Sequence, residues 1–107
     1  MKILLDENMP TKVRYDFGEA HIVRTVRDMK WLGKKNGELL GLAAFNGFDV
    51  FITLDRNLRN QQNLDKVDLK FILLLAEDNK VPTIESFVPK IKSLIGSGDL
   101  GKFSEVK

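Results

Sequence analysis

The stretch Phe51-Ile52-Thr53-Leu54-Asp55-Arg56-Asn57 decides how the chain folds, because an apolar strand here runs straight into a carboxylate with a polar turn behind it. In an open α/β sheet, ligand chemistry is delivered at the carboxyl ends of the strands. Ile3-Leu4-Leu5-Asp6-Glu7 has the same shape, so two strands each end in acid. Placed side by side in a sheet, they bring Asp6 and Asp55 together.

Working outward from these two strands, the chain alternates strand and helix. Asn8-Met9-Pro10 predicts a helix start, with Asn as a cap and Pro in a first turn where no donor is needed. Val13 and Phe17 lie one turn apart on its inward face, and Gly18 ends it. Residues 20–26 are a β-branched strand, polar enough to lie near an edge. Asn36-Gly37-Glu38 opens a second helix, capped by Asn36, whose buried stripe is Leu39, Leu40, Leu42 and Ala43; Asn46-Gly47 closes it. Asn57 caps a short polar helix reaching about Asn63. The long apolar run of residues 69–76 is a central strand that ends in Glu77-Asp78-Asn79. The last helix begins near Pro82, with a kink or break expected at Pro89, and residues 102–106 form a candidate edge strand. This β-α-β-α-β-α-β-α order, with right-handed crossovers, makes an α/β fold. It predicts one doubly wound, mainly parallel sheet of four to five strands with helices on both faces. Strands one and three are neighbours at its switch point.

At 107 residues, 43% hydrophobic and 30% charged, the chain has the composition of one globular domain. No apolar run is long enough for a membrane span, and no signal-type segment precedes the first strand, so a cytoplasmic location is expected. Without cysteine, disulfides, thiolate zinc sites and cysteine nucleophiles are excluded, and a single histidine, His21, excludes a multi-histidine metal site. No Gly-x-Ser-x-Gly elbow supports serine hydrolysis. Net charge is only +2, yet Arg24, Arg27, Lys30, Lys34 and Lys35 crowd one connection against the single acid Asp28.

Carboxylates gathered from separate strand ends repel one another and raise their own pKa unless a cation intervenes. Oxygen ligands without histidine or cysteine favour Mg2+ or Mn2+, ions that polarise a phosphoryl oxygen and activate water. The chemistry this points to is phosphodiester hydrolysis. Each residue also has a plainer role: Asp and Asn after strands make turns and caps, and Glu38 in a helix first turn suits the macrodipole. The coincidence of Asp6, Glu38 and Asp55 carries the functional reading.

Leu4-Leu5-Asp6-Glu7-Asn8-Met9-Pro10, Gly33-x-Lys35-Asn36-Gly37-Glu38-Leu39-Leu40, and Asp49 through Leu58 with Gln61-Gln62-Asn63-Leu64 resemble the short bacterial PIN-like proteins of uncharacterised function. The resemblance covers essentially the whole chain. It implies a PIN-like domain related to the ribonuclease toxins of toxin-antitoxin pairs, in which an acidic cluster binds Mg2+ or Mn2+ and hydrolyses single-stranded RNA. By position, Asp6, Glu38 and Asp55 match the catalytic metal ligands. Glu7, Asn8, Asn36, Asn57 and Asp78 are accessory candidates, and Arg24, Arg27, Lys34, Lys35, Arg56 and Arg59 are candidate phosphate holders. Asn36 and Asn57 stand where many relatives carry acids, replacing a charged ligand by a neutral amide. An antitoxin protein and a homodimer are the partners implied. Two alternatives stand beside this expectation: a PIN-like module that binds RNA or a protein without cutting, and, more remotely, a receiver domain phosphorylated on Asp55.

Overall fold

Ile3, Leu4 and Leu5 are fully buried, as are Val50, Phe51 and Ile52, and residues 71–74 are nearly so. Continuous apolar runs are needed where a strand is covered on both faces. The computed structural model describes residues 1–107. Its strands β1 (Lys2–Leu5), β2 (Ile22–Thr25), β3 (Val50–Thr53), β4 (Lys70–Leu74) and β5 (Phe103–Val106) form one sheet in the order β2-β1-β3-β4-β5, every neighbouring pair parallel. β1 and β3 are adjacent, as expected, and both β2 and residues 103–106 lie at edges.

Alternation along the strands divides the core in two. Ile3, Leu5, Val50, Ile52, Ile72 and Leu74 face a layer made by a 3-10 helix, Thr11–Phe17, and by helices over Val81–Glu85 and Val88–Gly96. Leu4, Phe51 and Phe71 face the opposite layer, made by α1 (Asn36–Phe45), α2 (Leu58–Gln61) and a short 3-10 turn, Leu64–Lys66. The helices Val81–Glu85 and Val88–Gly96 are α3 and α4. Phe51 and Phe71 are register partners, and their rings meet edge to face at 6.2 Å. Such a pair contributes about 0.5–1.5 kcal/mol beyond its buried area.

Several elements depart from expectation for local reasons. Pro10, not Asn8, occupies the cap of the first helical segment, and Pro offers no side-chain acceptor; the segment winds as a 3-10 helix. Gly18 ends it at φ 78°. Asn36 is the first residue of α1 rather than its cap, which is Lys35. Asn57 does sit at the cap of α2, without a side-chain bond, but that helix stops at Gln61; Asn63 instead caps the next turn, accepting from Asp65 N–H at 3.2 Å. The predicted break in the last helix is real: α3 and α4 are separate, and Pro89 lies in the first turn of α4, where its missing donor costs nothing.

The connection after β2 opens with a reciprocal turn. Thr25 N–H donates to Asp28 Oδ2 at 2.8 Å while Asp28 N–H donates to Thr25 Oγ1 at 3.0 Å, the pattern of a capping box. It closes with Trp31 N–H on the Val26 carbonyl and Lys30 N–H on the Arg27 carbonyl, a Schellman pair that places Lys30 at φ 63°. Trp31 then packs edge-on against Phe48 at 6.1 Å, at the margin of the core, while Leu32 beside it is exposed.

The crossovers do not all share one hand. The step from β1 to β2 passes over the face that α3 and α4 also cover, and the step from β4 to β5 passes over that same face in the opposite direction. The two intermediate connections run over the other face toward β4, which gives them the hand of the first. The final crossover alone has the other hand, against a strong general rule and against the uniform hand expected from the sequence. A physical reason lies in coverage. The first connection supplies only a 3-10 helix to its face, and Ile84, Phe87, Val88, Ile91 and Ile95 complete the core there. No helix is long and apolar enough to cross a membrane.

Candidate functional site

The register that pairs Leu5 with Ile52 continues one residue further, because Asp6 N–H donates to the Ile52 carbonyl at 3.0 Å. Asp6 therefore comes beside Thr53, and alternation turns both side chains to the α1 face. Thr53 Oγ1 donates to Asp6 Oδ2 at 2.7 Å. Glu7 N–H donates to Asp6 Oδ1 at 2.8 Å. The same Thr53 hydroxyl accepts from Asp55 N–H at 3.0 Å, and Asp55 Oδ1 accepts from Asn57 N–H at 2.9 Å. One buried hydroxyl thus links the two strand-end acids at the switch point.

Asp6 is 8% exposed. Burial pushes its carboxyl above the ordinary value of 3.8; the bonds from Thr53 and Glu7 N–H pull it back, and the charges of Glu7 and Asp55 add to the rise. Asp55 is half-buried and Glu7 exposed at the same rim. A buried carboxyl beside two other acids is disposed to gain a proton or a cation.

Glu38 stands in the first turn of α1, with its side chain 60% exposed and paired to Lys34 Nζ at 2.9 Å. No three Asp, Glu or His side chains converge at metal-ligand spacing. The accessory candidates divide further. Asn8 contributes its carbonyl, which accepts from Asn79 Nδ2 at 3.1 Å, tying the turn after β4 to the turn after β1. Asn36 is half-buried in α1, and Asn57 is exposed at the start of α2. Asp78 serves α3: Thr83 and the Lys80 N–H, the latter at 3.0 Å, hold its carboxyl below the usual aspartate range.

Among the basic candidates, Arg27, Lys35 and Arg56 are exposed in the connections after β2 and β3, on the carboxyl rim, and take part in no ion pair. Lys34 is held by Glu38. Arg24 donates to its neighbour's carbonyl, Val23, at 3.1 Å. Arg59 turns toward the far edge, its guanidinium 4.1 Å from the Phe103 ring and 3.9 Å from Glu105. Thr53, which joins the two acids, is the site residue absent from the sequence-based expectations. The signal was available: Thr53 lies two residues before Asp55, at the end of a strand facing β1. Asn79 carried no such signal.

Asp6 and Asp55 are hard oxygen donors, but with no third acid beside them they form no complete ligand set of their own. Mg2+ is commonly held by one or two carboxylates, with waters and substrate phosphate completing its shell, and Asp6 and Asp55, at the ends of adjacent strands, are the two residues that would hold it. The fold and this pair define a doubly wound α/β protein with an acidic switch point. No family model, curated protein or solved structure matches the chain.

Proposed function

We propose that this chain is a metal-dependent ribonuclease of PIN-like type, hydrolysing single-stranded RNA as the toxin of a toxin-antitoxin pair. The observation that supports the reading most is the Thr53 hydroxyl bridging Asp6 and the Asp55 backbone at the switch point. Asp6 and Asp55 hold Mg2+ or Mn2+, and Glu38 is the third acid of the motif, on the adjoining helix start. Bound there, the ion supplies Lewis-acid polarisation of a phosphoryl oxygen and a more acidic water. Thr53 keeps Asp6 oriented and stabilises its ionised form. Arg27, Lys35 and Arg56 hold backbone phosphates along the rim, and the exposed amides of Asn57, Asn60 and Gln61 are placed to hydrogen-bond bases. The experiment is Mg2+-dependent cleavage of a mixed single-stranded RNA by wild type, Asp6→Asn and Asp55→Ala. Loss of cleavage in both variants supports the assignment, and equal cleavage by all three sinks it. Salt-dependent RNA binding without turnover in the wild type would instead mark a binding module.

The strand order favours one second reading. Receiver domains use the order 2-1-3-4-5 with acids at the same strand ends; this sheet shares that order, while its reversed last crossover sets it apart from them. On that reading Asp55 accepts a phosphoryl group. Labelling with acetyl phosphate, lost in Asp55→Ala, would select it over the nuclease.

A further inference from the structure

The two edges of the sheet are finished differently. In β2, Ile22 and Val26 send their N–H groups to the carbonyls of Met1 and Leu5, so Val23 and Thr25 carry the outward groups. The chain seals all of these but the Val23 N–H itself. Asp28 Oδ2 takes the Thr25 N–H at 2.8 Å, Met29 N–H takes the Thr25 carbonyl at 3.2 Å, and Arg24 Nη1 takes the Val23 carbonyl at 3.1 Å. In β5 the carbonyls of Lys102 and Val106 accept from Phe71 and Leu75, so Phe103 and Glu105 point their N–H and C=O groups outward. No hydrogen bond within the chain takes them. An unsealed edge is a template for another strand.

We propose that β5 is the interface of a two-fold dimer, pairing antiparallel with β5 of a second copy so that Phe103 lies opposite the second copy's Glu105. Charge selects both the occupant and the register. In an antiparallel pair, residues with outward groups must face each other and exchange both bonds. Setting Glu105 opposite Glu105 juxtaposes like charges, which is destabilising. Setting Phe103 opposite Phe103 brings together the two Arg59 guanidiniums, each 4.1 Å above its ring. The intermediate register avoids both. It sets Arg59, already 3.9 Å from its own Glu105, beside the second carboxylate on the same face, and meets across the axis at the small Ser104. Because three of the four outward groups of the β2 edge are already taken, growth stops at two copies instead of continuing as a sheet.

Sedimentation velocity across a concentration series tests this, independently of any nuclease activity. The wild type is expected to dimerise. Glu105→Pro removes the outward N–H together with the carboxylate, breaks no bond to β4 and should yield monomer. The exposed substitution Glu105→Lys leaves folding intact and should raise the dimer dissociation constant at least roughly tenfold, two like-charge contacts being introduced per dimer. Adding Arg59→Glu to Glu105→Lys should restore the dimer. A wild type that stays monomeric throughout overturns the proposal. So does a dimer that Glu105→Lys leaves unchanged, which would place the interface elsewhere.

Discussion

Thr53 and Asp6 form a hydrogen bond of 2.7 Å between the ends of two adjacent strands, and both are buried. The hydroxyl serves both strand ends: its proton goes to Asp6 and one of its lone pairs takes the Asp55 N–H. Thr53→Val keeps the shape and removes both roles. It should cost about 1–3 kcal/mol at neutral pH, the cost of leaving buried polar groups without a partner. Urea unfolding at neutral and at acidic pH checks it, with a smaller loss expected in acid, where Asp6 is protonated.

Asp6 itself should make stability fall as pH rises. Burial lifts its folded-state pKa above 3.8. Between that ordinary value and the raised one, the folded chain retains a proton the unfolded chain has released. The contribution is therefore fully present below 3.8 and is lost as pH climbs through the folded value. Denaturation of wild type and Asp6→Asn across this range should show the difference moving steadily in favour of the variant. A difference that is flat with pH would mean that the carboxyl is not raised.

The three motif acids should not weigh equally in metal binding. Asp6 and Asp55 share Thr53, whereas Glu38 is exposed and held by Lys34 at 2.9 Å. Titration calorimetry with Mn2+ should show Asp6→Asn and Asp55→Asn losing far more affinity than Glu38→Gln. Equal losses would require Glu38 to leave Lys34 and join the pair.

Lys30 is the one non-glycine residue with positive φ, at the Schellman position of the basic loop. Left-handed backbone crowds a side chain's Cβ, and glycine escapes that cost. Lys30→Gly should stabilise the fold by about 0.5–1 kcal/mol, read as a higher midpoint in thermal or urea unfolding.

What could be read in the sequence was what depends on local pattern. The apolar runs of residues 3–5, 50–52 and 71–74 announced buried parallel strands, and Gly18 and Pro89 marked a stop and a break where both occur. The pairing of β1 with β3 followed from the order of elements. Competition between partners was not legible. Asp78 is taken by the opening of α3, Arg59 by Phe103 and Glu105, and Glu38 by Lys34. Residue type and spacing say that such groups can bind something, and only the packed chain shows which neighbour arrives first. The hand of the final crossover was hidden for a similar reason, since it follows from which face was left uncovered by the short segment Thr11–Phe17.

That reversed crossover bears on how the molecule assembles. Strand twist ordinarily guides each new parallel strand into place through a right-handed path, and β5 receives no such guidance. Its place beside β4 is instead tied to the docking of α3 and α4 on the face of β1, β3 and β4. During synthesis these elements emerge after β1 to β4, so the nascent sheet waits with Ile52, Ile72 and Leu74 bare on one side. α3 and α4 act as a closing cover, and a truncation within α4 should expose that greasy surface to aggregation while leaving the Asp6–Thr53 contact encoded upstream.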